Sequence, residues 1–231
     1  MKRLVDVARI QTANWMSIFV WPLSIMVTAL LFNVLVYVLS AADAPDDRSN
    51  GALLSLYLFM LVAHAQTMTQ VFPFALGMGV TRRAFYGGTA LLVLAQATFY
   101  GLLLVMLNAI ERATGGWGLG IRFFDLSFLA QGNVVAQWLV YTVPLLAMSA
   151  MGVFAGVVFK RWGQPGVYTL GIGSTLLLGG LGMLITSQGW WPAVGSFFAG
   201  QSTFALFTVY PLLIALVLGA AGWVAVRRAT P

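Results

Sequence analysis

The stretch from Phe72 to Gly88 reads Phe-Pro-Phe-Ala-Leu-Gly-Met-Gly-Val-Thr-Arg-Arg-Ala-Phe-Tyr-Gly-Gly, and it separates two long apolar segments. A turn between two membrane helices needs only a few polar residues. This one carries two adjacent arginines beside two aromatic residues, with a pair of glycines on each side. Two interpretations stay open: the stretch docks a partner, or it is a positive-inside anchor with aromatic residues in the membrane interface.

The composition is that of an integral membrane protein. Of the 231 residues, 60% are hydrophobic and 8% are charged, so most segments lack the polar face that a soluble domain needs. The formal charge of +6 comes from basic residues in pairs at the ends of apolar segments, unlike the continuous basic patch of a nucleic-acid-binding protein. Because the chain has no cysteine, a disulfide framework, a thiolate metal site and a thiol nucleophile are excluded.

Six apolar segments are long enough to cross about 30 Å of hydrocarbon, which predicts an all-α single transmembrane domain over 1–231. Before them, 1–14 has charged and apolar residues on opposite faces at helical spacing and is predicted to be an interfacial helix. The competing idea is a signal peptide cut near Ala42-Asp43-Ala44, but the first apolar run exceeds an ordinary signal core. The predicted spans are 16–40, 53–72, 88–110, 134–159, 166–185 and 204–226.

The predicted connections differ in character. The segment 73–87 is basic, and 111–133 is a glycine-rich loop too polar to span. A tight turn is expected at 160–165, where a glycine and a proline follow Lys160 and Arg161. The segment 187–200 has no charge but several aromatic residues, which predicts a short interfacial or re-entrant hairpin.

The basic residues predict the orientation. Nine lie in connections on one side of the membrane and three on the other, which also holds five of the six acidic residues. The positive-inside rule therefore places both termini in the cytoplasm, in agreement with an even number of spans. The nine are Lys2, Arg3, Arg9, Arg82, Arg83, Lys160, Arg161, Arg227 and Arg228, and the three are Arg48, Arg112 and Arg122.

Few residues can carry chemistry. The only lysines, Lys2 and Lys160, lie in no phosphate-binding loop, so nucleotide hydrolysis must come from another chain. No charged residue lies clearly within a span, which argues against ion coupling. The polar groups of the second span share one broad arc that either lines a wet substrate path or holds helices together. They are His64, Gln66, Thr67 and Gln70. Because His64 is the only histidine, we expect no metal site built within this chain.

Two features involve glycine. The run Gly171-Ile172-Gly173-Ser174 raises the alternative of an intramembrane serine protease with His64 as base, although small residues more simply permit close helix packing, as Gly152 and Gly156 do. The fifth span has unusually little side-chain bulk and predicts a close neighbour, either within the chain or in a second copy. Its glycines are Gly166, Gly171, Gly173, Gly179, Gly180 and Gly182.

The turn at Leu76 to Gly87, with Gly79-Val80-Thr81-Arg82-Arg83-Ala84-Phe85 at its centre, resembles a recurrent pattern in the membrane subunits of type 2 ABC transporters. The order of features along the chain, an amphipathic helix followed by six spans, is similar to that family over essentially the whole length. The large extracellular domain of some relatives is absent, since the longest outside loop is 111–133.

The resemblance implies a function and a set of partners. The turn would be the coupling helix, seated in a groove of a separate ATPase through Thr81, Arg82, Arg83, Phe85 and Tyr86. Two ATPase copies, which bind the ATP and magnesium, would pair with two permease copies, as a homodimer or a heterodimer, with spans one, two and five near the dimer axis. The chain itself would be no enzyme and bind no cofactor, and it would export amphipathic or hydrophobic cargo across a prokaryotic plasma membrane. A non-transporting membrane scaffold is a further alternative.

Overall fold

The computed structural model describes residues 16–39 and 53–227, of which 88% are helical, with no strand among them. The all-α prediction is confirmed for these residues. The predicted interfacial helix at 1–14, the sequence Ala42-Asp43-Ala44 and the last basic residue, Arg228, lie outside the described residues.

Seven helices define the architecture of the described residues. A π-helical turn, Met16–Val20, leads into α1, and α2 continues through the π-helical turn Thr67–Val71 into α3 without a break. A third π-helical turn, Ala205–Val209, leads into α7. The helices are α1 (Trp21–Leu39), α2 (Leu53–Gln66), α3 (Phe72–Gly77), α4 (Arg82–Ala113), α5 (Val134–Ser187), α6 (Trp191–Ala199) and α7 (Tyr210–Val226). By length and composition, four helical segments of the described residues can cross a membrane: Trp21–Leu39, Arg82–Ala113, Val134–Ser187 and Ala205–Val226.

Each of these three π-helical turns ends at a valine that stands two residues before a proline, in the sequence Val-aromatic-Pro, unlike the π-helical turn Gly116–Gly120 in the loop after α4. Proline has no N–H to donate and its ring crowds the carbonyl four residues earlier, so a locally wider turn accommodates it. The three prolines are Pro22, Pro73 and Pro211. Pro144, inside α5, follows a different sequence and has no such turn before it.

The 54-residue α5 is two helices joined at Gly163. Gly163 has φ 69° and ψ −160°, a backbone conformation that is essentially restricted to glycine. Residues from both sides of the break, including Phe154 and Gly173, line one open groove. The turn predicted at 160–165 is present as this break. We call 134–162 the first arm and 164–187 the second arm.

The first arm is the centre of the helical packing. Gly152 and Gly156 let α2 and its π-helical turn approach closely, because a Cβ at Gly152 would clash with the carbonyl oxygen of Leu61 and one at Gly156 would lie 2.5 Å from the Cβ of Met68. The close packing predicted at these two glycines is confirmed. One buried cluster includes Leu56, Met60, Tyr100, Phe123, Phe124 and Tyr141, and another includes Met68, Phe72, Phe85, Val157 and Val226.

The second arm has almost no neighbours in the part of the chain that the structure describes. Nearly all of its side chains are exposed, and α6 beyond it has no buried residue. No side chain or other helix lies within 4 Å of a Cβ built at Gly171, Gly173, Gly179, Gly180 or Gly182. The sequence predicted a close neighbour for these glycines, either within the chain or in a second copy. No such neighbour is found within the described part of the chain.

Candidate functional site

The connection between α3 and α4 is a short, rigid turn. At the end of α3, Gly79 adopts φ 82° and donates its N–H to Leu76 O over 2.9 Å, while Val80 N–H reaches Ala75 O over 3.0 Å. This is a Schellman motif, which needs a left-handed residue at the position of Gly79. The turn is therefore held by the backbone itself.

Thr81 starts the next helix. Its backbone is extended, and its Oγ1 accepts the N–H of Ala84 over 3.2 Å, which makes it the N-cap of α4. Only four residues, 78–81, lie outside the two helices. Most of the predicted connection 73–87 is thus helical. Its non-helical part is limited to these four residues, because α3 and α4 extend into the segment from both sides.

The predicted coupling residues divide between surface and core. Thr81 and Arg83 are exposed, and Arg82 is half-buried and donates from Nη1 to the carbonyl of Arg227 over 3.3 Å. Phe85 is 0% exposed and packs edge-on against Phe72, with ring centroids 5.2 Å apart. Its side chain fixes the turn from beneath and does not contribute to the surface.

Tyr86 connects the start of α4 to α7. Its hydroxyl donates to the carbonyl of Gly219 over 2.7 Å, and its ring lies 5.6 Å from that of Trp223. Gly222 lies directly beneath, since a Cβ there would stand 2.6 Å from the Tyr86 oxygen. Displacement of the turn would therefore be transmitted to α7 through Tyr86.

Two apolar side chains that sequence reasoning missed project from the same turn. Phe74 is 63% exposed and Met78 is 51% exposed, beside the exposed Thr81 and Arg83. We call these four residues the turn surface. The sequence could have indicated this exposure. An apolar residue beside two arginines, where a predicted span leaves the membrane, has no lipid to cover it.

Arg227, directly after α7, adds a third cation to this region. The guanidinium of Arg227 lies 4.8 Å from the ring centroid of Trp223, and that of Arg83 lies 6.0 Å from the same ring. Together with Arg82 they border a cleft of about 480 Å³. Among the described residues the only carboxylates are Glu111 and Asp125, which lie at and beyond the far end of α4. The cleft is therefore strongly cationic.

The four predicted pathway residues do not form one polar surface. His64 is 2% exposed, its Nδ1 lies 2.8 Å from Met60 O, and Gln96 of α4 hydrogen-bonds its ring. Thr67 bonds Ala63 O within its own helix. Gln66 and Gln70 are exposed on the surface of the chain. Of the two open interpretations, His64 fits interhelical bonding, and the two amides are free to line a path.

The structure does not bring Ser174 and His64 together as a catalytic pair. Ser174 is exposed on the second arm, and its hydroxyl donates to Gly171 O of the same helix over 2.9 Å. The His64 ring is buried against α4 and hydrogen-bonds with Met60 O and Gln96. Among the described residues, no group of three or more His, Cys, Asp or Glu side chains could hold a metal ion.

A buried carboxylate that the sequence did not single out organises the loop between α4 and α5. Glu111 is 1% exposed and accepts the indole N–H of Trp117 over 2.7 Å. It also accepts three successive backbone N–H groups, from Phe123 at 3.0 Å, Phe124 at 3.0 Å and Asp125 at 2.7 Å. This loop is consequently a packed cap, with both phenylalanines in the core.

Comparison with known proteins adds no relative: no family model matches this chain, and no curated protein or solved structure is significantly similar to it.

Proposed function

We propose that the chain is the membrane subunit of an ATP-driven exporter of the type 2 ABC class. In this proposal six spans cross a prokaryotic plasma membrane with both termini in the cytoplasm. The spans are α1, α2 with α3, α4, the two arms of α5, and α7 with its preceding turn. The four membrane-length segments support a membrane protein, and the break at Gly163 supports counting α5 as two spans.

The observation that carries the proposal is the turn surface on its rigid frame. A backbone-locked turn holds an exposed phenylalanine, methionine and arginine at the end of two helices, on the side that the basic residues predict to be cytoplasmic. Such a surface suits insertion into a groove of another protein, where aromatic and arginine side chains contribute most to binding.

The packing beneath the turn supports a coupling role. The Phe85 ring fills the space against Phe72, and Tyr86 bonds Gly219, so α3, α4 and α7 are joined directly under the surface. A force applied to Met78 and Arg83 would be carried into these helices. In the proposal two ATPase subunits, which bind ATP and magnesium, apply that force, and this chain performs no hydrolysis.

A second copy of the chain would cover the second arm. Gly166, Gly173 and Gly180 recur at seven-residue spacing, which puts them on nearly one face of the helix, and the last two are open to a neighbour. Small residues on one face allow helices in a membrane to approach closely. The substrate path would lie between the copies, near the exposed amides Gln66 and Gln70. Such a path suits amphipathic or hydrophobic cargo.

Co-purification tests the proposal. The tagged chain is expressed from its own locus, extracted in mild detergent, and the proteins recovered with it are identified. We expect an ATPase in about equal amount, and its loss in the double variant Met78→Asp with Arg83→Glu, since both side chains are exposed and their replacement leaves the core intact.

Arg161→Glu, at the other basic turn, is the matched control and should retain the ATPase. Recovery of the chain without any ATPase would contradict the proposal, as would retention of the ATPase by the double variant. A serine protease would instead lose activity with Ser174→Ala, and a scaffold would respond to neither change.

A further inference from the structure

An apolar groove runs along the outer surface of the molecule between α4, the first arm of α5, and α7. It has a volume of about 350 Å³ and exists because the side chains along it are small, among them Ala90, Ala150, Ala215 and Gly219. Nothing lies within 4 Å of a Cβ built at Gly219, so the space there is open.

The groove offers almost no free polar group. Its two hydroxyl-bearing residues are Tyr86 and Thr89, and both hydroxyls already donate to backbone carbonyls, of Gly219 and Phe85 respectively. A ligand in this groove therefore gains from burying apolar surface and not from hydrogen bonding.

One end of the groove opens next to the cationic cleft. Tyr86 lines the groove, and Arg82 and Arg83 precede it by one turn of α4, while Trp223 and Arg227 follow Gly219 by one and two turns of α7. The same two helices thus carry an apolar channel and, at its end, three guanidinium groups without a described carboxylate nearby.

The dimensions match half of a bilayer. From Tyr86 to Leu94 the groove follows eight helical steps, or about 12 Å at 1.5 Å per residue. Half of the hydrocarbon core is about 15 Å thick. An acyl chain seated in the groove would therefore bring its headgroup to the level of the cleft.

We propose that this groove binds one phospholipid with an anionic headgroup, its acyl chain against Ala90 and Gly219 and its phosphate between Arg83 and Arg227. Guanidinium groups pair with phosphate oxygens through charge-assisted hydrogen bonds, and a tryptophan beside them suits the interface level. The bound lipid would fill the space between α4 and α7 and so support the Tyr86 contact. The site belongs to the chain alone and needs no ATPase.

The test uses the purified full-length chain, delipidated in detergent and offered phosphatidylglycerol or phosphatidylcholine, with the retained lipid counted by native mass spectrometry. We expect at least fivefold greater retention of phosphatidylglycerol. Arg227→Gln should abolish that preference, and Gly219→Leu, which fills the groove, should reduce retention of both lipids. If Gly219→Leu fails to fold, Ala215→Leu fills the same groove.

Two controls and two competitors decide the source of the phosphate. Arg161→Gln and Gly132→Leu, the latter in open space in the loop before α5, make the same changes away from the site and should behave as the unchanged chain. Inorganic phosphate and glycerol 3-phosphate should not displace the lipid at millimolar concentration. If either compound displaces the lipid and Gly219→Leu leaves lipid retention unchanged, the cleft binds a free anion and the lipid proposal is overturned. Equal retention of the two lipids, unaffected by Arg227→Gln, would overturn the proposal.

Discussion

The hydroxyl of Tyr86 donates a 2.7 Å hydrogen bond to the backbone carbonyl of Gly219, and this bond joins the start of α4 to the C-terminal half of α7. Tyr86→Phe removes the bond and should lower the free energy of unfolding by about 0.5–1.5 kcal/mol. Gly222→Ala should cost more, because its Cβ would stand 2.6 Å from the Tyr86 oxygen.

A double-mutant cycle separates these two effects. Because Tyr86→Phe removes the atom with which Ala at position 222 collides, the combined variant should be more stable than Gly222→Ala alone. Thermal unfolding in detergent measures the four proteins. Additive losses would mean that Gly222 does not accommodate the Tyr86 hydroxyl.

The left-handed glycine of the turn gives a second prediction. Gly79→Ala forces an L-residue to φ 82° and should destabilise the turn by about 1–2 kcal/mol. Gly77→Ala, two residues away inside α3 with open space around it, is the matched control and should be neutral or stabilise by up to about 1 kcal/mol. Equal effects of the two changes would contradict the Schellman geometry.

The buried carboxylate gives a third prediction. Glu111→Gln keeps the shape but places an amide N–H₂ among four N–H donors, so the free energy of unfolding should fall by about 2 kcal/mol or more. Arg112→Ala breaks an exposed ion pair with Asp125 and should cost less than about 1 kcal/mol. Limited proteolysis of 114–133 reports on the loop directly. A loop cleaved no faster in Glu111→Gln would show that the carboxylate does not hold it.

The second arm gives a fourth prediction. The chain has no cysteine, so a single Gly173→Cys cannot cross-link within the chain, and a product of twice the mass of the chain identifies a second copy. We expect a thiol cross-linker in native membranes to yield a dimer. Leu102→Cys, exposed on α4, should remain a monomer. A dimer from Leu102→Cys and none from Gly173→Cys would place the interface elsewhere.

The helical fold class and individual local features could be predicted from the sequence. Gly163 breaks α5 where a glycine and proline follow two basic residues, and Gly152 and Gly156 admit a neighbouring helix, as their lack of side chains indicates. These features depend on residues close together in the chain, where backbone preference and side-chain size act directly.

Long-range contacts were not predictable in the same way. Glu111 finds its three backbone donors more than ten residues later, in a loop without a periodic pattern. The approach of Arg227 and Trp223 to Arg83 depends on which helices are neighbours, and helices that are apolar on all sides do not specify this. The burial of Phe85 likewise depends on which helices are neighbours.

The most direct measurement of the central claim is cross-linking from the turn surface in native membranes. Met78→Cys supplies the only thiol of the chain, at an exposed position, and a short membrane-permeant thiol-to-amine reagent captures what lies against it. Leu119→Cys, in the loop between α4 and α5, is the control. We predict that Met78→Cys captures an ATP-binding subunit and Leu119→Cys does not. Capture of lipid or nothing at Met78→Cys, in a membrane that contains the intact protein, would contradict a coupling role for the turn.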